Sequence, residues 1–188
     1  MSSKLEILKE LEKSSLTGHA IPTIDIAPRL DDVIAQFETN LKTVAGVLDR
    51  EAGLEGLQQK VNELIAEGQQ VISLVDGITA NRETPETPHG LKDIDFAVLR
   101  GEVAVAENGG IWVKEPKGHR STPFICENLL LVVNSDSVVA NMHQAMKKIT
   151  LESGHFGSFI AGPSKTADIE QALVVGAHGA CSLNVYLV

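Results

Sequence analysis

Apolar positions along this chain fall into two periods. Leu5, Leu8 and Leu11 form one stripe among lysines and glutamates, which predicts a short amphipathic helix over residues 3–13. Residues 14–28 carry two prolines and a glycine and read as an extended connector. The first 28 residues therefore form an arm, free to dock on its own body or on a second copy in a homodimer. Residues 29–188 form the α/β body. There, apolar residues at 30, 33, 34, 37, 41, 44, 45 and 48 predict a helix of about five turns, with Asp31 and Asp32 at its N-terminal end. Leu54, Leu57, Val61, Leu64 and Ile65 predict a second helix that stops at Gly68.

The period then shortens. The run 71-VISLV-75 predicts a buried strand, and residues 81–93 a polar, proline-rich loop. Strands follow at 94–100, 102–107 and 111–115, with 108-NGG-110 as the turn of a hairpin or strand–loop–strand. A basic loop, 116-PKGHRSTP-123, leads to the buried strand 128-NLLLVV-133. Ser135 or Asp136 is placed to cap a helix with apolar positions 138, 139, 142, 146 and 149. Strands at 156–162 and 183–188 complete the pattern. Helices alternating with short buried strands predict an α/β fold with a parallel or mixed sheet under helices.

Composition narrows the function classes. The formal net charge of −9 disfavours a nucleic-acid backbone as partner. Cys126 and Cys181 have no ligand spacing, so no metal site is expected from this chain alone. Neither a signal-peptide core nor an apolar run long enough for a bilayer is found, which predicts a cytoplasmic protein without membrane contact.

The candidate chemistry lies in 158-SFIAGPSKTADIEQALVVGAHG-179. Gly162 and Pro163 break a strand, Ser164 or Thr166 is placed to cap a following helix, and Asp168 and Glu170 fall in that helix's first turn. Backbone N–H groups at a helix start, with Lys165 beside them, suit a small anion at the carboxyl end of a strand. The loop lacks phosphate-loop spacing, so a nucleoside triphosphate is not implied. The plainer reading is a well-capped helix. His178, between Gly176 and Gly179, is either structural or an acid–base group working near neutral pH. Glu107, Asn108, Gly109 and Gly110 form a second candidate loop, readable as an anion nest or as a hairpin turn. Lys114, Lys117, His119 and Arg120 form a basic cluster, either a solvated loop or a means of steering anions.

The run FIAGPSKTADIEQALVVGAHG closely resembles the C-terminal signature of the LUD-domain family, lactate-utilisation protein C type. The matching positions are Gly162, Pro163, Ser164, Thr166, Asp168, Ile169, Glu170, Gly176, His178 and Gly179. The segment 103-VAVAENGGIWV-113 is similar to the family's Ala-Glu-Thr-Gly-Thr motif. The resemblance covers about residues 90–188. Lys165 stands where the family usually has arginine. Asn108-Gly109-Gly110 replaces Thr-Gly-Thr, and Ala180-Cys181-Ser182 replaces a Pro-Arg sequence.

The resemblance implies a fold like the NagB/RpiA/CoA-transferase proteins, with helices on both faces of the sheet. It implies a role in oxidising L-lactate to pyruvate beside an iron–sulfur subunit and a cysteine-rich subunit. Clusters are then expected only in those partners, with none bound by this chain. His178 and Glu107 are the candidate proton carriers. Residues 162–166, Asp168, Glu170, 108–110 and Gly179 are the candidate ligand contacts. Two rivals stand beside this reading: a non-catalytic assembly or regulatory module, and a stand-alone isomerase or CoA-transferase-like enzyme.

Overall fold

The computed structural model describes residues 3–14, 18, 20, 22–27, 31–166 and 174–188. In chain order, α1 (Ser3–Lys13) precedes α2 (Val33–Thr43), β1 (Val47–Asp49), α3 (Gly53–Ala66) and β2 (Val71–Ser73). Then come β3 (Phe96–Gly101), β4 (Val103–Val105), β5 (Gly110–Lys114), α4 (Thr122–Ile125) and β6 (Asn128–Val133). The chain continues through β7 (Val138–Val139), α5 (Met142–Lys148), β8 (Gly157–Ile160), β9 (Lys165–Thr166), β10 (Val174–Val175) and β11 (Ser182–Leu187).

The central sheet has five strands in the order β1-β11-β6-β3-β2, and every pairing is parallel. The apolar run of β6 is buried on both faces, as a covered parallel strand requires. Leu129, Leu131 and Val133 meet Phe37 and Leu41 of α2. Leu130 and Val132 meet Leu57, Val61 and Leu64 of α3 on the other face. A second sheet, β7-β4-β5-β8, shares the α2 side: Ala104, Ile111 and Val113 join that core, while Val103, Val105 and Trp112 turn outward to Ala145 of α5. The α/β expectation holds, with a sheet taking part of one covering layer.

Three predicted elements differ. The long helix from 30 to 48 ends at Thr43. Ala45 adopts a left-handed conformation (φ 65°), and the Gly46 and Ala45 amides donate to the Leu41 and Lys42 carbonyls. That double bond closes the helix, and residues 47–49 become the edge strand. Leu30 lies outside the described residues. The predicted helix from 135 is instead a 3-10 turn at Ser135–Ser137, a two-residue strand, and a shorter helix capped by Asn141, which accepts from the Gln144 amide at 3.0 Å. Val138 and Val139 are drawn into pairing with β4. The third difference concerns the segment after Pro163 and is taken up below.

No residue of α1 is buried, and Leu5, Leu8 and Leu11 are exposed. The connector touches the body where the Asn141 Nδ2 donates to the Ile26 carbonyl at 3.0 Å.

Candidate functional site

Lys165 and Thr166 are strand residues paired antiparallel with Val175 and Val174. Ser164 therefore does not cap a helix, and the helix expected after Thr166 falls on residues outside those described. Asp168 and Glu170 lie outside the described residues. The position on the fold is also corrected. The loop at 161–164 follows β8, which belongs to the second sheet, and the loop at 176–181 leads into β11. In register, Ser182 of β11 pairs with Asn128 of β6, so the two loops meet at the amino ends of the central parallel strands.

Local bonds explain why these residues stand where they do. The Ser164 amide donates to the Ala180 carbonyl at 2.8 Å, and the Gly176 amide donates to the Ser164 carbonyl at 2.9 Å. The Ser164 Oγ accepts from the His178 amide at 3.4 Å. A Cβ on Gly179 would lie 3.3 Å from the Ser164 Cβ, so the two loops are in close contact. Lys165 Nζ donates to the Val44 carbonyl at 2.6 Å, which places its charge at the C-terminal end of α2, where the helix dipole favours it. Gly162 packs on the same carbonyl. The lysine is thus an anchor as well as a charge.

The clasp walls a cavity of about 310 Å³. Gly162, Pro163, Ser164, Lys165, His178 and Gly179 line its polar side. Phe124, Phe159, Leu129 and Leu183 line its apolar side. No sequence period marks the two phenylalanines as partners of the glycine loops; the fold alone brings them there. The His178 side chain is exposed. A neighbouring cavity of about 370 Å³ shares Phe124, His178 and Gly179 but carries Asp93, Asp95 and Glu127 with a single lysine, Lys92. An anion is therefore better placed in the first cavity. There, Ser164 can donate a hydroxyl hydrogen bond, and His178 can hold or move a proton.

The second candidate loop is elsewhere. Glu107 lines a separate cavity of about 220 Å³ with Gln36, Asn141 and His143, and its Oε2 accepts from the Met142 amide at 3.2 Å. The expectation of one combined site is corrected: Glu107 and His178 face different cavities. Asn108 accepts from the Gly110 amide at 2.9 Å within the hairpin. Gly109 presses on α2, where a Cβ would lie 2.9 Å from the Leu41 backbone. Asn40 Nδ2 donates to the Ala106 carbonyl at 2.6 Å. Asn108, Gly109 and Gly110 thus hold the hairpin on α2 and do not line the first cavity.

Among the described residues no group of three or more His, Cys, Asp or Glu side chains is placed to hold a metal. Likewise, no helix among them is long and apolar enough to cross a membrane. The two thiols differ: Cys181 is exposed, whereas burial pushes the Cys126 thiol up to about 12. Only the thiolate reacts. A disulfide reagent at pH 8 is therefore expected to modify one thiol in the folded protein and two after denaturation. Fast modification of both thiols in the folded state would contradict the burial of Cys126.

Comparison with known proteins bears on the whole chain. Residues 6–188 match the LUD domain. A protein named Lactate utilization protein C from Geobacillus sp. (strain WCH70) is 33% identical over 103 residues, 48% of this chain and 43% of that protein. Its namesake from Shouchella clausii is 30% identical over 105 residues, 53% of this chain and 46% of that protein. The chain thus spans about half the length of these two relatives. A Deinococcus radiodurans protein of the same name is 25% identical over 203 aligned positions, covering 99% of this chain and 95% of that protein. A crystal structure of a DUF162 family protein from Deinococcus radiodurans superposes with a TM-score of 0.62 at 18% identity, over 83% of this chain and 96% of that one. It shares the fold.

Proposed function

The chain belongs to the LUD-domain family, and on that premise we propose that it serves lactate utilisation by binding a small carboxylate or phosphate anion in the cavity between residues 162–165 and 178–179. The observation that carries this reading is the meeting of Ser164, Lys165 and His178 at one cavity with an apolar wall. A short hydroxy acid has the matching halves: a carboxylate for the polar side and an alkyl group for Phe124 and Phe159. Ser164 would donate to the anion, Lys165 would bias the local potential, and His178 would be the proton carrier.

Oxidation of L-lactate to pyruvate removes two electrons and two protons. Iron–sulfur clusters would take the electrons in the partner subunits, because cysteine-ligated clusters need more thiolates than Cys126 and Cys181 supply. This chain would be a non-cluster subunit beside an iron–sulfur and a cysteine-rich subunit. The arm would be a separate element from the body at 29–188, in the cytoplasm. The assembly-module reading draws on one observation, the exposed leucine stripe of α1. The isomerase or CoA-transferase-like reading would use Glu107 as a carboxylate nucleophile, in the separate cavity of about 220 Å³ that it lines.

The test is reconstitution with the two partner subunits, measuring L-lactate-dependent reduction of an electron-accepting dye. The activity is expected to require this chain and to fall at least tenfold with Ser164→Ala/His178→Ala. Full activity without the chain would end the proposal. Full activity with the double variant would leave an assembly module.

A further inference from the structure

A fourth cavity, of about 220 Å³, lies at the opposite end of the central sheet. Leu74 follows β2, and Leu99 and Arg100 are in the last turns of β3 before the chain crosses at Glu102 into the second sheet. Lys114, at the end of β5, and Lys117 close the other side. This is the carboxyl end of the parallel strands, where open α/β sheets present their ligand crevices. The loop cavity described above is at the amino end, so the two are distinct.

The floor is apolar: Leu99 and Val113 are buried, and Leu74 is half-buried. The rim is cationic. Arg100 is oriented by a bond from its NH1 to the Asn134 Oδ1 at 3.0 Å, which leaves its positive charge uncompensated. Lys114 is half-buried, and among the described residues neither it nor Lys117 has an ion pair or side-chain hydrogen bond. Two carboxylates also line the cavity, Glu102 and Glu115. Glu115 is already engaged: Arg120 Nε donates to one oxygen at 2.5 Å and the Phe156 amide to the other at 3.2 Å. Glu102 then opposes Arg100, Lys114 and Lys117, which leaves a positive surplus suited to a singly charged ligand more than to a doubly charged one.

The geometry points to a second binding site here, for a short aliphatic carboxylate whose charge meets Lys114, Lys117 and Arg100 and whose alkyl group rests on Leu74, Leu99 and Val113. It absorbs part of the basic cluster at 114–120, which the loop cavity does not use. It does not depend on the lactate reading.

Sodium propionate is the probe, titrated into the ¹⁵N-labelled full chain while amide shifts are followed, with sodium phosphate at equal ionic strength as comparator. Saturable shifts are expected at residues 99–102 and 113–117, with propionate stronger than phosphate. Lys114→Gln/Lys117→Gln should weaken binding at least tenfold, and Lys117→Glu alone, at an exposed position, should do so without loss of fold. Ser164→Ala/His178→Ala should leave these shifts unchanged. Shifts that never saturate, that survive both lysine variants, or that fall only at 162–166 and 176–179 would overturn the site. Phosphate binding as strong as propionate would overturn the carboxylate class.

Discussion

Gly162→Ala is expected to destabilise the protein by about 3 kcal/mol, the sum of a left-handed backbone penalty of about 1–2 kcal/mol and an overpacking cost of about 1–3 kcal/mol. Gly162 has φ +73°, and a Cβ there would lie 1.9 Å from the Val44 carbonyl oxygen and 2.9 Å from its carbon. Neither atom belongs to a flexible side chain, so backbone must move. The same carbonyl receives Lys165 Nζ at 2.6 Å, and displacing it also costs that bond. For a chain of this length the loss corresponds to roughly 6–12 °C in Tm. Gly154 is the control. It also has positive φ, +86°, but no atom lies within 4 Å of its would-be Cβ. Gly154→Ala should therefore carry only the backbone penalty of about 1–2 kcal/mol. Equal losses in the two variants, measured by thermal unfolding, would mean that the loop does not rest on the end of α2.

Phe37→Ala is the second large effect. Phe37 is fully buried and packs with Leu41, Leu129 and Leu131 between α2 and the central sheet. Truncation should cost about 3–5 kcal/mol, the range for a buried aromatic. The denaturant slope should be unchanged, because the folded state keeps its extent. Leu8 in α1 is 46% exposed, so Leu8→Ala should stay within about 0.5 kcal/mol. A cost at Leu8 that approaches the cost at Phe37, and that depends on protein concentration, would show the arm docked on a second copy.

The longer elements were legible from the chain alone. The run at 128–133 is apolar at every position but its first, which fits a strand covered on both faces, and β6 is that strand. The glycines at 109 and 110 between two alternating runs predicted a hairpin or a strand–loop–strand, and β4 and β5 form the hairpin. The short pieces were not legible. Leu48, Val138 and Val139 sit at helical spacing and yet lie in strands of two or three residues. In such short strands pairing with a neighbour outweighs periodicity. The same holds for Lys165 and Thr166, expected in a loop, which pair with Val175 and Val174.

The candidate site divides in the same way. Its glycine loops could be read because Gly162 and Gly176 stand where backbone or side-chain atoms approach too closely for a Cβ, and Gly179 packs tightly on Ser164. Its aromatic wall could not, because Phe124 and Phe159 come from distant segments with no shared pattern. Which end of the sheet the loops occupy was also hidden. That depends on β8 pairing with β5 in the second sheet, a topological fact that residue spacing does not carry.

Thermal unfolding of the wild type and of Ser164→Ala/His178→Ala against L-lactate, D-lactate, pyruvate, glycolate, sugar phosphates and coenzyme A tests the loop cavity most directly. A ligand at about 100 times its Kd adds roughly 2.7 kcal/mol, or about 5–11 °C for a domain of this length. The predicted result is a shift of that order with a small carboxylate or phosphate in the wild type, and its loss in the double variant while the variant still unfolds cooperatively. A shift of equal size in both proteins would contradict binding between the two loops. If that shift then vanished in Lys114→Gln/Lys117→Gln, the ligand would belong to the opposite end of the sheet.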